Sequence, residues 1–140
     1  MSRVYLVRHG QTAWNVGEIF RGRADIPLDE TGKHEVHLAG ETLKDEALHA
    51  VYSSPLSRSM ETAENIAKFH DISVTPLDAI IDISYGEWEG LGNQEVQQKY
   101  PDLHALWLTE PHKVLFPGGE SLDEVRSRTM TALEDLLAEH

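Results

Sequence analysis

Cysteine is absent from the 140 residues. This excludes disulfide scaffolds, thiol nucleophiles and thiolate metal sites together, and makes a cytoplasmic location the expectation. Positive charge is scarce: Lys and Arg total 12 against 24 Asp and Glu, a formal net charge of −12. Such a balance is a poor match to the phosphate backbone of nucleic acid, so no nucleic-acid partner is expected. Any anionic ligand must meet a local cluster of arginines inside a repelling field. Long hydrophobic runs are missing as well. No stretch approaches the roughly 18–20 apolar residues that span a bilayer, and Met1-Ser2-Arg3 leads directly into a short strand-like run. Neither a membrane helix nor a secretory signal is expected.

The apolar fraction of 40% is ordinary for a globular chain, and its length suits a single domain over residues 1–140. Val4-Tyr5-Leu6-Val7 is a short β-branched and aromatic run of the kind found in buried parallel strands. Asp29 is placed to cap a helix from about Glu30 to Lys44 with Val36, Ala39 and Leu43 on one face. A strand is predicted near Leu48–Ser53. Ser54-Pro55 then reads as the opening of a helix to about His70, its inward residues being Leu56, Met60, Ala63, Ile66 and Ala67. Ile72–Leu77 reads as a third strand. Beyond it, Asn93–Lys99 forms a helix stopped by Pro101. Ser121 and Glu124 have capping-box spacing for a last helix. That helix should face inward through Leu122, Val125, Thr129, Ala132, Leu133, Leu136 and Leu137. The alternation predicts a three-layer α/β/α sandwich with a mostly parallel sheet.

The densest chemistry lies in Arg8-His9-Gly10-Gln11-Thr12-Ala13-Trp14-Asn15, just past the expected first strand, where open α/β sheets bind ligands. Arginine offers a fixed fork of donors to a phosphate, and neutral histidine can attack as a nucleophile near pH 7. Gly10 would let the backbone approach a ligand closely. Arg58, in Ser53-Ser54-Pro55-Leu56-Ser57-Arg58, falls at a helix N-terminus, where the dipole disfavours a cation. The placement makes sense if an anion lies between the two.

These segments resemble the histidine phosphatase superfamily, the phosphoglycerate mutase-like proteins. The resemblance rests on Arg8-His9-Gly10 with Asn15, and on Gly22 with Asp25-Ile26-Pro27-Leu28. It continues through Ser53–Arg58 with Thr62-Ala63, Gly86-Glu87-Trp88-Glu89-Gly90 and Pro117-Gly118-Gly119-Glu120-Ser121, in family order over nearly the whole chain. It implies that His9 attacks phosphorus and becomes a phosphohistidine. It also implies that Arg8 and Arg58 hold the transferring group, with Asn15 and the backbone around Arg21-Gly22 completing the pocket. Two guanidinium forks supply positioning and charge stabilisation with no metal and no cofactor. The family's usual general acid, a Glu, corresponds here to Asp82 in Ile81-Asp82-Ile83-Ser84-Tyr85-Gly86, with Glu87 and Glu89 as weaker rivals.

The implied function is hydrolysis of small phosphomonoesters. The alternatives are a mutase-type phosphoryl transfer, as on phosphoglycerate, and a noncatalytic phosphate-binding module. The resemblance breaks at the C-terminus. A second histidine that the family carries on a late strand has no counterpart before His140, and the sheet should lack its last strand. The chain is therefore expected to be the larger part of a longer enzyme; a homodimer supplying the missing strand is an alternative. His34 and His37, at i,i+3 with Glu41 nearby, have metal-ligand spacing but fall on a charged helix face, so no metal site is assigned. Trp107 and Phe116 are expected to cover the sheet. Trp88 is either cover or pocket wall.

Overall fold

The structure is a computed structural model that describes residues 2–140. The chain divides into two compact units, one of Met1–Val16 with Asp25–Ile81 and one of Gly17–Ala24 with Asp82–His140. The first unit opens with a short helix α1 (Ala13–Val16), followed by α2 (Glu30–Leu43), β1 (Val51–Ser53), α3 (Ser57–Ala67) and β2 (Val74–Pro76). Strands β1 and β2 pair in parallel, with Val51 opposite Val74 and Ser53 opposite Pro76. Helix α3 packs on both strands and on α2. The class is α/β with parallel pairing, as the sequence predicts.

Helix α2 starts where Asp29 accepts from the Gly32 N–H at 2.7 Å. Its face is the expected one: Val36 is buried and Ala39 and Leu43 are half-buried. Glycines allow α2 to sit against the preceding loop, since a side chain at Gly32 would collide with the Gln11 backbone. Helix α3 begins at Ser57, two residues later than an opening at Pro55 implies. Its N-cap, Leu56, has no side-chain acceptor. The acceptor comes instead from Asp25, whose carboxylate takes the Ser57 N–H at 2.8 Å and the Ser57 hydroxyl at 2.7 Å. A cap supplied from thirty-odd residues away leaves no local trace in the sequence.

The opening run departs further from expectation. Val4–Val7 forms no strand, and all four side chains are exposed, Leu6 at 89%. A strand exists only as a paired backbone, and among the described residues this one has no ladder partner. Apolar composition alone therefore does not bury it.

The second unit contains α4 (Asn93–Lys99), α5 (Pro101–Thr109) and α6 (Leu122–Glu139). Its core is Ile83, Trp88, Val96, Val114 and Phe116. Trp88 is fully buried, edge-on to Phe20 at 5.1 Å and to Phe116 at 4.9 Å, so it is a core residue. Pro101 does end α4, as predicted, but it also begins α5, because a proline at the first helical position loses no intrahelical bond. The capping box of α6 forms in both directions: Ser121 Oγ accepts from Glu124 N at 3.1 Å, and Ser121 N donates to Glu124 Oε2 at 2.7 Å. The predicted stripe of α6 is half-buried from Leu122 to Leu136, while Leu137 is exposed.

Candidate active site

The first unit carries Arg8, His9, Gly10, Asn15 and Arg58. Arg8 is exposed and His9 half-buried. His9 Nδ1 lies 2.7 Å from its neighbour's carbonyl, Gly10 O. A carbonyl can only accept, so Nδ1 holds the proton, and in the neutral ring the lone pair is on Nε2. A backbone contact thereby sets which ring nitrogen carries the proton.

Gly10 is buried, and a side chain there would press on the Gly32 carbonyl and on Val36 of α2. The lack of a side chain is thus required by helix packing, a reason different from the ligand approach inferred from sequence. Gly10 N donates to Thr62 Oγ1 at 3.2 Å, and that hydroxyl donates onward to the Arg58 carbonyl at 2.7 Å. Buried Thr62 thus ties the His9-Gly10 turn to the α3 segment that bears Arg58. The sequence places Thr62 in a motif but gives it no role; only the long-range bond reveals one.

Arg58 is fully buried, at 0% exposure, in the first turn of α3. Asp25 lies close enough for the Arg58 charge to act on it. Its carboxyl is held below the usual carboxylate range, chiefly by the two bonds from Ser57 and to a smaller extent by that charge. Asn15 Oδ1 accepts from both the backbone N–H and the hydroxyl of Thr12, at 2.8 and 2.9 Å. With its oxygen so used, Asn15 has its Nδ2 donors to offer an anion.

The second unit carries Arg21, Gly22 and Asp82. Gly22 is buried with φ +52°, and a side chain there would collide with a Glu89 carboxylate oxygen. That oxygen accepts from Arg23 N at 3.0 Å and from Tyr85 N at 3.1 Å. Glu89 is therefore occupied in holding the backbone on either side of it, and Glu87 accepts from the Tyr100 hydroxyl at 2.7 Å. A cleft of about 280 Å³ is lined by Glu18, Ile19, Phe20, Arg21, Tyr85 and Asn93. Burial pushes the Tyr85 phenol upward, with the nearby Asp82 charge adding to the shift, so the hydroxyl keeps its proton. Asp82 is half-buried, and its Oδ1 accepts from Ile83 N at 2.8 Å. His37 and Glu41 stand 3.9 Å apart on the exposed face of α2. Among the described residues no group of three or more acidic or histidine side chains is gathered as a metal site.

A buried arginine at the start of α3 and a histidine whose Nδ1 faces a backbone carbonyl thus lie in an α/β unit with parallel pairing. The chain belongs to the histidine phosphatase superfamily (branch 1), whose family model matches residues 4–140. It is 41% identical to phosphoserine phosphatase 1 of Hydrogenobacter thermophilus, over 100% of this chain and 66% of that protein. It is 34% identical to the uncharacterized phosphatase PhoE of Bacillus subtilis, over 95% of this chain and 63% of that protein. Among solved structures, YhfR of Bacillus stearothermophilus superposes with a TM-score of 0.90 at 31% identity, covering 95% of this chain and 66% of that one. The chain thus spans about two thirds of the length of the relatives it matches.

Proposed function

We propose that the protein hydrolyses small phosphomonoesters through a phosphohistidine on His9. The observation that carries this reading is the Nδ1–H bond to the Gly10 carbonyl, which makes Nε2 the ring nitrogen that bears the lone pair. In the first step Nε2 forms the N–P bond as the ester P–O bond breaks. The leaving oxygen takes the electron pair and accepts a proton from the Asp82 carboxyl. Positive charge that develops on the ring is stabilised through Nδ1–H. In the second step water forms a P–O bond as the N–P bond breaks, and the water proton returns to Asp82. Arg8 and Arg58 neutralise the equatorial oxygens throughout, with Asn15, Gly10 and the Arg21-Gly22 backbone as further donors.

Family membership supports these assignments, and the burial of Arg58 supports its role, because a desolvated guanidinium binds an anion more strongly than an exposed one. The phosphoserine phosphatase relative makes O-phosphoserine the first metabolite to test. Release of phosphate from an aryl phosphate by the chain, beside His9→Ala, tests the reading. Release that vanishes in the variant is expected; undiminished release from His9→Ala would refute it.

A further inference from the structure

Asp82 lies in a segment, Asp82–Glu87, that is fastened to the Pro117–Glu120 loop and to α6 by a set of bonds that no motif explains. Ser84 N donates to Glu120 Oε2 at 2.9 Å, and Glu120 N donates back to Ser84 O at 2.8 Å. Glu87 N donates to Pro117 O at 2.8 Å. Gly86, at φ +54°, and Gly119 make this approach sterically feasible, since a side chain on either would strike the opposite backbone.

The same Glu120 carboxylate receives Arg128 of α6 in a fork, Nε to Oε1 at 3.0 Å and one terminal nitrogen to Oε2 at 3.1 Å. That terminal nitrogen also donates to the Asp82 carbonyl at 3.3 Å. Arg23 adds a second guanidinium to Glu120 at 3.2 Å. A bidentate arginine pair, both partners mostly withdrawn from solvent, is a rigid device, whereas a lysine would give one movable point charge.

We infer that Glu120 and Arg128 are positioning residues for proton donation by Asp82. Aspartate is one methylene shorter than the glutamate common at this place in the family, so its reach depends more on where its backbone is held. Arg128 fixes the carbonyl of Asp82 itself, and Glu120 fixes Arg128 and Ser84 together. The inference rests on the reading of Asp82 as the proton donor.

Leaving-group dependence tests both levels. An alkyl phosphate such as O-phosphoserine needs protonation of its leaving oxygen; 2,4-dinitrophenyl phosphate does not. In the first comparison, read as kcat/KM because that ratio ends at release of the leaving alcohol and excludes the shared water step, Asp82→Asn should lose roughly a hundredfold or more on the alkyl ester and little on the dinitrophenyl ester. Arg128→Lys and Glu120→Gln, two variants in case one does not fold, should lose roughly tenfold on the alkyl ester and less than about twofold on the dinitrophenyl ester. Either change added to Asp82→Asn should cost nothing further, because residues acting through one group are not additive. Equal losses on both esters, or none, in the Arg128 and Glu120 variants while Asp82→Asn behaves as stated would overturn the positioning role alone. Equal losses on both esters in Asp82→Asn, or no turnover by the unsubstituted chain, would overturn the donor reading and the inference with it.

Discussion

His9, Arg58 and Asp82 were all legible as residues, because a histidine beside an arginine, an arginine at a helix start and an aspartate ahead of a glycine-rich turn stand out in one dimension. What holds them was not legible. Thr62 joins Gly10 N to the Arg58 carbonyl across 52 positions, and no local pattern signals such a bond. Its replacement gives a direct prediction. Thr62→Val keeps the shape but leaves the buried Gly10 N–H without its acceptor, which should cost about 1–3 kcal/mol of stability. Chemical denaturation measures that loss. Because the change shifts the turn that bears the proposed nucleophile, kcat should fall on aryl and alkyl phosphates alike, in contrast to the leaving-group dependence expected at Asp82. Gly22→Ala should be worse tolerated than an average surface change, since it combines a left-handed backbone with a collision at Glu89.

Helices read well where their start signals are local. Asp29 and Ser121 each cap through their own side chain, and α2 and α6 begin where the sequence places them. Ser121→Ala should therefore destabilise the chain by about 1 kcal/mol, visible as a lower denaturation midpoint. The start of α3 is not marked locally, because its cap, Asp25, is remote. Asp25→Asn, which weakens the acceptor at the helix start, should lower the melting temperature. Helix α5 has no separate signal in the sequence, because the proline that stops α4 is also its first residue. The Val4–Val7 run shows the limit of composition for strands: pairing is a property of two segments, and only one is visible in the pattern.

For the molecule as a whole, the acid side of the stability profile follows from its paired carboxylates. Hydrogen bonds from Arg128 hold Glu120 below its ordinary value, with the Ser84 N–H and the charges of Arg128 and Arg23 contributing; the Ser57 bonds do the same for Asp25. A carboxylate whose folded value is depressed stabilises fully above its unfolded value, near pH 4, and that contribution disappears as pH falls through the folded value. Stability should thus be flat from about pH 5 to 7 and decline below about pH 4, with a shallower decline in Glu120→Gln. Denaturant titrations across that range check the sign.

The central claim is that His9 carries the phosphoryl group, and trapping it is the most direct measurement. The chain is mixed with O-phosphoserine or an aryl phosphate and quenched in base within a turnover, then digested and mapped by mass spectrometry. Phosphoramidates survive base and hydrolyse in acid. The account predicts one added phosphoryl on the peptide containing His9, lost on acid treatment and absent from His9→Ala. A phosphoryl group on another residue, or turnover with no covalent intermediate that survives in His9→Ala, would contradict it.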